Sequence, residues 1–159
     1  MRQLEAIHSG PMVRTKNDLI PILYARYYTA ALFMRDTFGQ CLADPKEQHL
    51  IGDPRLGPFI FPSTKTGLAM GLWLGTLYVV VEGWQEAKLS DPEIDRLLTS
   101  ANVPLLRRFR NGMFHFQGDE WLSTKLSNFA HSPDSVPWTD TLMKEFGRYF
   151  FTEMERINR

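Results

Sequence analysis

Hydrophobic positions along the chain recur mostly three and four residues apart, the spacing of one helix face. The first such run is Leu19, Ile20, Leu23, Tyr27, Ala30, Ala31, Met34 and Phe38. It predicts a helix to about Cys41, with Asn17 or Asp18 as its cap. The sixteen residues before it lack strong periodicity and are expected to be loosely attached. From Leu42 to Ser63 the periodicity stops, and ADPKEQHLIGDPRLGPFIFPS carries enough proline and glycine to predict a long ordered loop at 42–63. Its Phe59-Ile60-Phe61 triplet is expected to tuck into the core.

A second helix is predicted from about Thr66 to Lys88. SDPEIDRLLTS then has a helix-start signature, with Ser90 or Asp91 ahead of Pro92 and then Glu93, and predicts a short helix to about Thr99. Asn102 is placed to cap a fourth helix, with Pro104 in its first turn. WLSTKLSNFA predicts a further helical turn, and His131 to Pro137 a loop. The last helix is expected from about Pro137 to Ile157, with Trp138, Leu142, Phe146, Tyr149, Phe150, Met154 and Ile157 on one side. No strand alternation or repeat is visible. The pattern is that of a single all-α domain spanning 1–159, a four- or five-helix bundle.

Composition narrows the function classes. At 159 residues the chain can bury a core without disulfides or metals. Aromatics at 13% imply a core of bulky side chains. Eighteen Lys and Arg balance eighteen Asp and Glu, so a broad charge-driven grip on nucleic acid is excluded. Any such contact must be local, or built by two copies together. One cysteine, Cys41, forms no intrachain disulfide and suggests a reducing compartment. With no signal-type N-terminus, a cytoplasmic location is expected. The stretch from Thr66 to Val81 carries no charge but falls short of the roughly 20 residues of a membrane span. Its Gly67, Gly71 and Gly75 fit a core helix that lets a neighbour approach closely, and no membrane contact is expected.

His8, His49, His115 and His131 show no paired ligand spacing, so no metal or other cofactor is expected. Phosphate-loop and nucleophile-elbow motifs are absent. Chemistry is concentrated instead in RRFRNGMFHFQ, residues 107–117. On a helix, Leu105, Phe109, Gly112, Met113 and Phe116 share one face flanked by Leu106, which predicts the core side. Asn111 and His115 stack on the opposite side with Arg108 beside them. Arg107 and Phe114 lie between that group and Arg110.

Arg110 and His115 are five residues apart, about 140° around a regular helix, and do not share a stripe. They can serve one site only if the helix ends near His115 or if they reach a substrate from different directions. A histidine can move protons near neutral pH and an arginine can hold phosphate. Without a metal, that pair has what RNA cleavage by its own 2′-hydroxyl requires. The same residues also fit a solvated arginine face with a structurally bonded histidine. Glu82, which closes YVVVEGW, is a candidate partner for Arg110 or Arg108, with Tyr78 one turn before it; a solvated carboxylate at a helix end is the alternative.

LLRRFRNGMFHF resembles the R-x4–6-H motif of HEPN domains, in which the arginine is often followed by asparagine. Arg110, Asn111 and His115 match it as R-N-x3-H over about twelve residues. The resemblance implies a HEPN-like helical bundle with the motif on a late helix. It also implies a metal-independent endoribonuclease of toxin, defence or RNA-processing type, acting as a homodimer. His115 would then be the general acid and base, Arg110 the phosphate stabiliser and Asn111 the orienting residue. Arg107, Arg108, Glu82 and Tyr78 would border the substrate. RNA or a nucleotide and an antitoxin protein are the implied partners. Some domains of this kind are non-catalytic binding or dimerisation modules, which is the alternative the resemblance carries. A purely structural helical protein is the third.

Overall fold

A computed structural model describes residues 15–53, 63–115 and 128–159. These are overwhelmingly helical, and no strand occurs among the described residues. The elements are α1 (Lys16–Ile22), a π-helical segment (Leu23–Tyr28), α2 (Thr29–Ala43), α3 (Pro45–Gly52), α4 (Lys65–Glu86), α5 (Pro92–Leu97), α6 (Asn102–Phe114) and α7 (Ser135–Ile157). The all-α expectation holds. The expected loose N-terminus up to residue 14, the Phe59–Phe61 triplet, and most of the turn at WLSTKLSNFA lie outside the described residues.

The first predicted helix is one rod made of three pieces. It is entered from Thr15 rather than capped by Asn17 or Asp18; the Thr15 N–H and hydroxyl both donate to Asp18 Oδ2. Pro21 lies inside the helix, where it removes a backbone donor. The wider π turn begins two residues later, and regular α geometry resumes at Thr29.

The expected loop at 42–63 is corrected by α3. Asp44 Oδ1 accepts from the Lys46 N–H at 2.9 Å, and Pro45 occupies the first turn. Glu47 is buried, and its Oε2 accepts from both the N–H and the hydroxyl of Thr66 at 3.0 Å. That carboxylate therefore fastens α3 to the start of α4. Thr64 caps α4 by accepting from the Gly67 N–H.

α4 is the central element, packed between α2 on one side and α6 on the other. Trp73, Leu74, Leu77, Tyr78, Val80, Val81 and Trp84 are all buried. By length and composition alone α4 could cross a membrane, but 61% of its apolar stretch is buried inside the fold, as a core helix would be. α7 closes the other side with Leu142, Met143, Phe146 and Phe150 fully inside. The Tyr28 hydroxyl crosses the core to donate to the Met143 carbonyl at 3.0 Å.

Asn102 does not cap α6. It is buried at the helix start, where its Oδ1 accepts from Ser132. The inward line of α6 runs through Asn102, Leu106 and Phe109, with Leu105 and Met113 packed at its edges. The predicted stripe is thus turned by about one position, with Leu106 rather than Leu105 at its centre. Phe116, predicted in that stripe, lies outside the described residues. α7 begins two residues before the expected Pro137.

Candidate functional site

α4 and α6 run antiparallel, as the pairing of their residues shows. Met113 lies over Gly71 and Phe114 over Gly75, while Arg110, earlier on α6, reaches Glu82, later on α4. A Cβ at Gly71 would run into the Met113 thioether, and one at Gly75 into the Phe114 ring. At these glycines the ends of the Met113 and Phe114 side chains lie directly against the α4 backbone. The expectation that the apolar helix admits a close neighbour is met, and the neighbour is the motif helix.

Arg110 is half-buried. Its Nη2 donates to Glu82 Oε2 at 2.9 Å, with 26% and 33% of the two side chains exposed. Its Nη1 donates to Asn111 Oδ1, also at 2.9 Å. The guanidinium carbon stands 5.9 Å from the centre of the Tyr78 ring, within cation–π range. Of the two partners considered for Glu82, the structure selects Arg110. Burial pushes the Tyr78 phenol above its ordinary value and the Glu82 charge adds to this, while Arg107 and Arg110 pull the other way. Tyr78 is therefore a neutral hydroxyl at physiological pH, able to donate a hydrogen bond but unsuited to act as a base.

The helix ends beside the histidine. α6 stops at Phe114, and His115 is the first residue in extended conformation, with φ −112° and ψ 131°. The His115 N–H still donates to the Asn111 carbonyl at 3.1 Å, and the residue is exposed. Asn111 thus joins the two ends of the motif: its side chain holds Arg110 and its carbonyl holds the His115 backbone. The helical arithmetic separates Arg110 from Asn111 and His115. Adjacent residues still meet here, because the Asn111 side chain bends back toward the guanidinium.

Tyr78, Glu82, Arg110 and Asn111 are in direct contact as one cluster. His115 is attached to it through the backbone, and Arg107 acts on it electrostatically through Tyr78. Arg107 and Arg108 are exposed on α6. Among the described residues no group of three or more His, Cys, Asp or Glu side chains could hold a metal ion.

One feature beside the cluster escapes the sequence reading. A cavity of about 390 Å3 opens between the α1–π rod and α4, and Glu82 and Glu86 form part of its wall. Pro21 inside a helical pattern is the one sequence signal that the rod would deform there. No family model matches the chain, and neither a curated protein nor a solved structure does so.

Proposed function

We propose that this chain is a HEPN-like, metal-independent endoribonuclease. The observation that carries the reading is the placement of the R-N-x3-H segment. Arg110 is oriented by two hydrogen bonds and an aromatic face, and His115 leaves the helix at the adjoining end. In this reading His115 takes the proton from a ribose 2′-hydroxyl as the oxygen attacks the neighbouring phosphorus. The 5′-oxygen then leaves with a proton delivered by the same residue or its counterpart in a second copy. Arg110 balances the charge gathering on the phosphoryl oxygens, and Asn111 fixes Arg110 in place. Arg107 and Arg108 attract the RNA backbone locally, which suits a chain of zero formal net charge.

The chain acts as a homodimer in this proposal. Phe114, next to His115, is half-exposed, and Leu68 and Leu72 are exposed on α4. Together they offer apolar area at the edge of the motif. A binding module without catalysis is the second reading, favoured by one observation: the Arg110 charge is already matched by Glu82. RNA degradation in EDTA by the wild type and by His115→Ala separates the two. Cleavage that disappears in a folded His115→Ala variant supports the ribonuclease. An intact RNA pool under both proteins, with RNA bound, supports the module.

A further inference from the structure

The cavity beside Glu82 has a chemistry of its own. Its apolar wall comes from Leu19, Ile22 and Leu23 on the α1–π rod and from Val79 on α4. The π turn supplies an aromatic face at Tyr27. At about 390 Å3 the cavity is in the size range of small-molecule sites. Its charge is one-sided: Glu82 and Glu86 stand one helical turn apart on the same wall, and no basic residue is among the described residues that line it. Glu86 has no hydrogen bond or ion pair among the described residues. Glu82 meets Arg110 through Oε2.

The geometry points to this cavity as a binding site for a small aliphatic amine. The ammonium group sits between the Glu82 and Glu86 carboxylates, and the alkyl chain lies against Ile22, Leu23 and Val79. An apolar floor with two carboxylates at one end rejects carboxylates and phosphates and gains little from a neutral chain. A small molecule suits the space in size, because it is a half-open depression confined to one stretch of the α1–π rod and α4 rather than a groove running the length of a helix. Glu82 is shared with Arg110, so amine binding and the Arg110 ion pair compete for one carboxylate. The site stands whether or not the chain cleaves RNA.

The test is an NMR titration of the full chain with hexylammonium chloride, with hexanol and hexanoate as controls. Saturable shifts are expected at the amides of Ile22, Leu23 and Val79 for the ammonium alone. Glu86→Gln, at an exposed position, is expected to weaken binding about 3- to 5-fold, the worth of one partly exposed charge pair. Ile22→Trp enlarges a side chain at the rim, outside the core, and is expected to block binding while leaving the fold intact. Arg110→Gln frees Glu82 Oε2 and is expected to tighten binding about 2- to 5-fold, a response that a merely structural Glu82 would not give. Equal shifts with hexanol, or unchanged affinity in Glu86→Gln, overturn the proposal. Saturation by Nα-acetyl-lysine methylamide without any by hexylammonium also overturns it and assigns the cavity to a lysine of a protein partner.

Discussion

Two arginine–carboxylate clusters in this fold use the same chemistry for different ends. Arg148 on α7 donates to Asp91 Oδ1 at 2.7 Å and to Glu145 at 2.6 Å. Asp91 is itself the cap of α5, accepting from the N–H groups of Glu93 and Ile94. Every member there is tied to a helix end or to its own helix, and the cluster staples α5 to α7. Arg110, by contrast, bridges the last turns of α4 to the second half of α6. Among the described residues its hydrogen bonds all go to side chains; it lies over a phenol and shares its carboxylate with the wall of a cavity. A network that closes on caps fixes structure. One that closes on side chains beside open space leaves its members free of the helix ends.

That contrast breaks most visibly at His115. Under the proposed ribonuclease function, His115→Ala is expected to lower RNA cleavage by about 100-fold or more, as loss of a general acid–base does, with an unchanged circular dichroism melt. A comparable loss on replacing exposed His131 would erase the distinction. Glu82→Gln should come next, with cleavage falling about 10-fold in kcat because Arg110 loses its orienting partner. Stability should move by less than about 1 kcal/mol, since both side chains are partly exposed.

On the structural side, Asp91→Ala removes a cap as well as an ion pair. It is expected to destabilise the fold by about 1–2 kcal/mol in urea unfolding while leaving cleavage per folded molecule unchanged. The smallest effect concerns pH. Burial alone would raise the Asp91 carboxyl, but the Arg148 hydrogen bond and the α5 N–H groups outweigh it and hold the carboxyl below its ordinary 3.8. Its contribution is therefore complete above 3.8 and lost as the pH falls through the lower folded-state value. Asp91→Ala should flatten that part of the acid unfolding curve.

Much of this architecture is readable from the chain, and the misreadings have physical causes. Residues 44–47, Asp-Pro-Lys-Glu, carry the same cap and first-turn signature as Asp91-Pro92-Glu93, and both open helices. Proline and glycine density around 42–63 masks the first of them. Gly71 and Gly75 announce a close neighbour in α4, but only the three-dimensional packing shows it to be Met113 and Phe114. The Glu82–Arg110 pair was one of two partnerships the spacing allowed, and the antiparallel run of α4 and α6 decides between them. Periodicity could not reveal the cavity, because a π turn breaks the 3.6-residue count on which the reading rests. Of the two arrangements the helical arithmetic left open, one is present: α6 ends at Phe114, next to His115.

Arg110→Ala and Arg148→Ala measured side by side, for urea stability and for RNA cleavage in EDTA, test the central contrast most directly. Arg110→Ala is expected to keep its unfolding midpoint and lose the proposed cleavage, whereas Arg148→Ala is expected to unfold earlier and cleave normally while folded. Equal losses of stability in the two variants, with cleavage the same in both, would contradict it.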